Sequence, residues 1–495
     1  MRSGRARAAL AALFICTSAH AIDRSALEKL AADDNDEKIA AIGALVAEGD
    51  PRAADVLRQA AEGEIELDGK KVEIVVNNRV RARISEALSV LSLLSKDKAE
   101  RLAAARALAG GADPAMLPLV LRAKEREQEI DVKAQLEVTA AAMQLKSEDK
   151  PTRLAAIRAL SGSSNKAILL EAGNDPDPDI KAEAQKALRA IEGRLAWGEW
   201  LGLAFAGVSL GSILLLAALG LAITYGLMGV INMAHGELIM IGAYTTYVVQ
   251  GFFKGSSFFD WYLLAAIPAS FAVAALVGMA LERSVIRWLY GRPLETLLAT
   301  WGSSLVLIQA VRTIFGAQNV QVENPAFMSG GIEMMTNIVL PWSRIWIVVF
   351  AALVLFLMYL LLSKTRLGLY IRGVTQNRDM AACVGVPTAR IDTWAFGLGS
   401  GIAGLAGCAL SQLGNVGPDL GQAYIVDSFL VVVFGGVGQL AGTVYAALTL
   451  GFANKLLESW SGAVLAKIAL LVFIIIFIQR RPQGLFALKG RAVEA

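Results

Sequence analysis

The chain has 495 residues, 55% hydrophobic and 18% charged, with three cysteines, two histidines and a formal net charge of +3. So small a net charge gives no bulk field for nucleic acid, and no aromatic and basic patch suited to single strands is present. Two histidines without any CxxC supply neither a structural zinc site nor a disulfide framework. In chain order, the first element is a secretory signal. Arg2, Arg5 and Arg7 form its basic start, residues 8–15 its apolar core, and Ala19, His20 and Ala21 an A-x-A cleavage site, so a signal peptide is expected over 1–21. The apolar core falls far short of the ~20 residues of a spanning helix.

Residues 22–193 look soluble and repeat themselves. RLAAARALAG from Arg101 reappears as RLAAIRALSG from Arg153, and a weaker copy follows Lys38. Each copy reads as an amphipathic helix, a Gly or Asp-Pro break and a second helix. That pattern predicts a HEAT-like α-solenoid. Alternating residues around Asp68-Gly69 predict a hairpin inserted into it. A signal peptide would place this domain in the periplasm, where it either binds a partner or acts as a spacer.

From 197 onward the chain is apolar. Runs at 201–223, 226–250, 262–281, 296–316, 339–362, 393–413, 425–457 and 463–479 predict a polytopic all-α membrane domain, 197–488, in contact with lipid. Basic residues cluster after the third run (Arg283, Arg287, Arg292), after the fifth (364–390) and after the last (Arg480, Arg481), so these loops are expected in the cytoplasm. The protein is thus expected in the inner membrane. An N-terminus outside and a C-terminus inside require an odd number of crossings. The run 425–457, broken by Gly435, Gly436, Gly438 and Gly442, is expected to dip in and return, leaving seven crossings. Two short spans joined on the inside would make nine.

Asn232, His235 and Glu237 are the most polar cluster of this half. They either line a solute path or gate, for which Gly435, Gly436 and Gly438 are the other candidates, or cap and satisfy the backbone where the chain bends. Asp427 and Lys455 are weaker cases, and Lys467 reads as a snorkelling side chain. GSGIAG from Gly399 matches a dinucleotide fingerprint and GVSLG around Ser209 a nucleophile elbow. Neither has the strand that those motifs need, and both read as close helix packing. An intramembrane serine hydrolase stays as the enzyme-class rival, but no covalent chemistry is expected. No phosphate-binding GxxxxGK[ST] occurs, so any ATP is used by other polypeptides and the chain itself holds no cofactor and no metal. The basic loop 364–390 carries a helix-like stretch near Asn377 closed by Gly385. It presents either a helix to a partner or an ordinary positive-inside loop.

INMAHGELIMIGAY, RGVTQNRDMAACVGV, FGGVGQLAGTVYAAL and RPQGLF, in that order, resemble the branched-chain amino-acid and urea-type ABC-transporter permeases over about residues 200–488. The resemblance implies a permease without ATPase motifs, paired with a second related permease subunit, two cytoplasmic ABC ATPases and a periplasmic solute-binding protein. It implies that Gly368, Arg372, Gln376, Asn377, Met380 and Gly385 belong to the ATPase-coupling loop. The N-terminal extension is similar to that of the first permease subunit of urea transporters, which implies urea or short amides as solute. A branched-chain amino-acid importer and an ATP-independent channel or carrier are the alternatives.

Overall fold

The computed structural model describes residues 24–32, 34–48, 52–67, 70–110, 116–163, 166–335 and 338–486. The expected signal peptide, 1–21, lies outside them. The chain divides into two compact units, Met1–Ala196 and Trp197–Ala495.

The first unit contains α1 (Arg24–Leu30), α2 (Asn35–Glu48), α3 (Arg52–Glu62), α4 (Asn78–Ser92), α5 (Lys98–Ala109), α6 (Leu117–Arg126), α7 (Ile130–Gln144), α8 (Lys150–Ser161) and α9 (Lys166–Ala172). Between α3 and α4, β1 (Glu64–Leu67) pairs antiparallel with β2 (Lys70–Glu73), Leu67 opposite Lys70. The second strand starts two residues before the alternation of the sequence indicated.

The sequence repeat has a physical meaning here. Asp97 accepts from the Ala99 amide at 3.1 Å to cap α5, and Asp149 accepts from the Thr152 amide at 3.1 Å to cap α8. Ala104, Ala105 and Leu108 of α5 are buried, as are the corresponding Ala156, Ile157 and Leu160 of α8. Lys98 bridges Glu129 and Asp131 at 2.9 and 3.1 Å, and Lys150 bridges Asp177 and Asp179 at 2.9 and 2.7 Å. Arg101 pairs bidentately with Glu127, and Arg153 with Asp175. Each copy therefore ties the start of its first helix, through a lysine and an arginine, to carboxylates of a later loop within the same copy.

The next helix, α10 (Pro178–Met228), carries both the last repeat helix and the first apolar run, where the sequence reading placed a break after 193. No proline interrupts it, and the Arg194 guanidinium donates to the carbonyls of Ser161, Gly162 and Ser163 at the end of α8.

The second unit continues with α11 (His235–Phe253), α12 (Tyr262–Ser284), α13 (Pro293–Phe315), a hairpin of β3 (Gly331–Met335) and β4 (Ile338–Pro341), α14 (Trp342–Lys364), α15 (Arg366–Gln376), α16 (Arg378–Cys383), α17 (Thr388–Ser411), α18 (Gln422–Gly435), α19 (Leu440–Ser461) and α20 (Ala463–Arg480). Among the described residues, seven helices are long and apolar enough to cross a bilayer. To these the geometry adds α11, 19 residues with a polar first turn, and the 14-residue α18.

The centre is α17, buried along nearly its whole length. Its glycines admit neighbouring backbones. A Cβ on Gly399 would stand 2.7 Å from the Gly220 carbonyl of α10, and one on Gly407 would stand 2.7 Å from the Ala243 amide of α11. Gly242 of α11 lies against Gly404, and Gly278 of α12 against Ser400. The GxGxxG match is therefore helix packing, as expected.

One end of the bundle is basic and comprises 285–292, 364–390 and 481–486. At the other end the loops interlock. Val320 and Val416 exchange backbone hydrogen bonds at 2.8 Å, Arg312 pairs with Asp419 at 2.8 Å, and the Tyr262 hydroxyl donates to the Glu323 carbonyl at 2.8 Å.

The run 425–457 corrects the seven-crossing expectation. The break at 436–439 sits at the basic end, where the Leu485 and Phe486 amides donate to Phe434 and Gly435 at 2.9 and 3.2 Å. From there α19 runs back along α10 to the loop end, Gly211 meeting Gly451. α18 and α19 are two passes, not one re-entrant loop, and the described residues make nine passes. The count is still odd. The sequence reading missed it because α18 alone is shorter than a spanning helix.

Candidate functional site

Two helices start inside the bundle rather than at an end. α11 begins at His235 after the irregular stretch 229–234, which opens at Gly229 with φ +66°. α18 begins at Gln422 after the irregular stretch 412–421. Their N-caps, Ala234 and Gly421, supply no side-chain acceptor. The two starts touch, since a Cβ on Gly236 would lie 2.7 Å from the Gly421 carbonyl oxygen. A helix start carries a partial positive charge, so this contact gathers two such ends in the bundle interior, although most of their first amides are already paired with carbonyls of the preceding chain, as His235 is with Asn232 and Gln422 with Asp419.

Asn232, His235 and Glu237 are brought together at this contact, all essentially inaccessible. Each uses one polar atom to hold the chain. Asn232 Oδ1 accepts from the Ala234 amide at 3.0 Å, and His235 Nε2 lies 2.9 Å from the Ala217 carbonyl. A carbonyl only accepts, so Nε2 carries the proton and Nδ1 presents its lone pair. Glu237 Oε1 accepts from the Ser304 hydroxyl of α13 at 2.8 Å. The second polar atom of each, Asn232 Nδ2, His235 Nδ1 and Glu237 Oε2, has no partner. An unpaired buried polar atom costs roughly 1–3 kcal/mol, more for a charged one. The structural reading thus accounts for half of each side chain. The other halves offer one donor, Asn232 Nδ2, to an oxygen and two acceptors, His235 Nδ1 and Glu237 Oε2, to N–H groups.

The irregular stretch is held from α13. The Met233 amide donates to Thr300 Oγ1 at 3.2 Å, and Thr300 donates to the Ile231 carbonyl at 3.4 Å. The sequence reading missed Thr300 and Ser304. The available signal was Thr296, Thr300 and Ser304 recurring every fourth residue, one buried stripe on α13.

The glycines proposed beside this cluster lie elsewhere. Gly435 packs on Gly442, Gly436 (φ +102°) ends α18 against Phe486, and Gly438 (φ +80°) meets Gly226. They sit at the basic end, ~20 Å along α18 from its start at 1.5 Å per residue.

The basic loop folds into α15 and α16. Thr365 caps α15 by accepting from the Gly368 amide at 3.3 Å, and Gly368 is pressed against the Leu362 backbone. Arg372 Nε donates back to the Gly368 carbonyl at 3.3 Å. Asn377 caps α16 by accepting from the Met380 amide at 2.9 Å, and Gly385, φ +88°, closes it. Gln376, Asn377 and Gly385 are exposed, and Met380 is 63% exposed, a large apolar side chain outside the bundle.

No hydrolase site is assembled. Ser209 is buried in α10 without a hydrogen-bond partner, and His235 bonds that helix at Ala217, ~12 Å further along. An apolar cavity of 580 Å³ near the loop end, bordered by Trp261, Phe327, Trp346 and Phe350, contains none of the residues singled out above.

Residues 203–479 match the family described as the permease component of branched-chain amino acid transport systems. The high-affinity branched-chain amino acid permease protein BraD of Pseudomonas aeruginosa is 29% identical over 287 residues, 56% of this chain and 93% of BraD. The corresponding LivH of Escherichia coli is 28% identical over 289 residues, 57% of this chain and 93% of LivH. The ribose import permease protein RbsC of Escherichia coli is more distant, 27% identical over 201 residues, 39% of this chain and 60% of RbsC. No solved structure matches.

Proposed function

The chain belongs to the permease family of branched-chain amino acid transport systems, and from that premise we propose that it carries urea or a short amide through the inner membrane. As a permease subunit of an ABC importer it is a multi-pass membrane protein whose relatives are transport components rather than enzymes. One observation carries the solute reading. Where two helices start inside the bundle, the free donor of Asn232 and the free acceptors of His235 and Glu237 lie together. Urea and short amides offer one carbonyl oxygen and several N–H groups, which suits that set.

The second reading, a branched-chain amino acid, is favoured by what BraD and LivH carry. Its carboxylate and ammonium would use the same donor and acceptors. Uptake of labelled urea and labelled leucine in a strain lacking this chain, restored by its expression, decides between them. Restored leucine uptake with unchanged urea uptake overturns the first reading.

The basic end faces the cytoplasm by the positive-inside rule. There α15 and α16 meet the ATPases. Residues 1–21 are a cleaved signal, and the helical repeats of 22–193, HEAT-like in pattern, stand in the periplasm beside the solute-binding protein. A second related permease completes the pair. Liposomes holding this chain alone test the motor requirement: downhill flux without partners would make it a channel or carrier.

A further inference from the structure

α16 buries a single residue of its own, Ala381. It is tied to the bundle chiefly by Arg378, which the sequence reading passed over. The Arg378 guanidinium donates from both terminal nitrogens to the Asp392 carboxylate in the first turns of α17, Nη1 to Oδ1 at 3.4 Å. Its carbon stands 5.0 Å from the centroid of the Tyr290 ring in the α12–α13 connection. The Tyr290 hydroxyl donates to Glu282 Oε1 at 3.1 Å, and the Thr393 hydroxyl donates to Glu282 Oε2 at 2.7 Å. Glu282 is on the last turn of α12. One arginine on a barely buried helix therefore reaches three elements of the bundle through a connected polar cluster.

The burial is unequal across this joint. The Arg378 side chain is 42% exposed, whereas that of Asp392 is 3% exposed and Glu282 is 1% exposed. Two carboxylates are thus buried under a lid that carries the cation. If α16 lifts, Asp392 loses the one cation that hydrogen-bonds it among the described residues, which costs more for a buried carboxylate than losing a surface pair. Arg287 is close enough to act on Asp392 but makes no hydrogen bond to it in the described structure. The ends of α12 and α17 can stay as they are only while α16 stays seated.

We propose that Arg378 is the positioning residue that transmits displacement of α16 to the basic ends of α12 and α17. The inference rests on the reading of 364–390 as the face gripped by ATPases. The planar fork of arginine and its stack on Tyr290 make this a directional joint that a lysine, a point charge, would only partly reproduce.

The test uses the complete transporter, with its ATPases, in proteoliposomes, and reads solute uptake per ATP hydrolysed. In wild type, co-purification of the ATPases checks the underlying reading separately. Their absence there sinks that reading and this one with it, before any variant is considered. With ATPases retained, Arg378→Gln and Asp392→Asn should keep hydrolysis within about twofold while uptake per ATP falls about tenfold or more. Arg378→Lys should fall between. Should uptake and hydrolysis decline together with assembly yield in all three variants, Arg378 is a brace and the proposal fails. It fails equally if the ratio in Arg378→Lys and Arg378→Gln matches wild type.

Discussion

Gly242→Ala, set against Gly251→Ala on the same helix, tests the packing account most directly. A Cβ on Gly242 would fall on the Gly404 backbone, with its carbonyl carbon 2.6 Å away, whereas one on Gly251 would meet nothing within 4 Å. Ordinary contact begins near ~3.5 Å, so α11 and α17 must separate by about 1 Å. No flexible side chain is present to yield. Both variants gain the same helix propensity, up to ~1 kcal/mol, which cancels in the comparison. What remains is the overpacking cost, ~1–3 kcal/mol and toward the upper value for a backbone collision. At 1.4 kcal/mol per tenfold, ~3 kcal/mol is about a hundredfold change in the open population.

Cys408 reports it. It is buried in a cluster with Met240, Ala243 and Tyr244 of α11, while Cys383 is exposed and is replaced by serine together with Cys16. In detergent, maleimide labelling of Cys408 should be about a hundredfold faster in Gly242→Ala than in Gly251→Ala. Equal rates would mean that the α11–α17 contact is not backbone-tight, and the packing argument would fall.

Three further outcomes are expected. Glu237→Gln should lower uptake at least about tenfold with normal membrane insertion, and Ser304→Ala should lower it less, since it removes one neutral donor; wild-type uptake in Glu237→Gln would leave the cluster structural only. In a chain whose exposed Cys383 is replaced by serine, Met380→Cys should react with impermeant maleimide in inside-out vesicles and not in right-side-out ones, and the reverse pattern would invert the assigned orientation. In the repeats, the Arg101 guanidinium holds the Glu127 carboxyl below its usual range, and the Lys150 ammonium does the same for Asp177. Depressed carboxylates stabilise above their unfolded values and lose that contribution as pH falls through them. The protection of α5–α9 against amide exchange, corrected for the intrinsic exchange rate at each pH, should therefore fall as pH drops below about 4, and protection that stays flat would mean that these pairs contribute nothing.

Elements set by local periodicity were the legible part of the fold. The repeated RLAA segments show their apolar face, their aspartate cap and their arginine in the same places twice. The apolar runs gave the membrane helices because hydrocarbon thickness fixes their length. What escaped was non-local. That α18 makes a pass of its own depends on residues 481–486 closing over its end. That α11 starts only at His235 depends on Thr300 of α13 holding the preceding chain. At the site, Asn232, His235 and Glu237 stood out because polar groups are rare in such a run. Their partner Ser304 did not, since hydroxyls are common in apolar helices and bond their own backbone. Arg378 looked like one more positive-inside charge, and its contacts with Asp392 and the Tyr290 ring separate it from Arg372 or Arg390.

The glycine seams of α17 also decide what can move. Where backbone rests on backbone, neither partner can roll or slide by a fraction of a residue without collision. α10, α11, α12 and α17 thus form a chassis that must swing whole. α18 and α19 are fastened to that chassis in the same way, at Gly236–Gly421, Gly226–Gly438 and Gly211–Gly451. Any rearrangement that exposes the interior first to one aqueous side and then to the other falls to α13, α14 and α20, which no glycine seam among the described residues fastens to it.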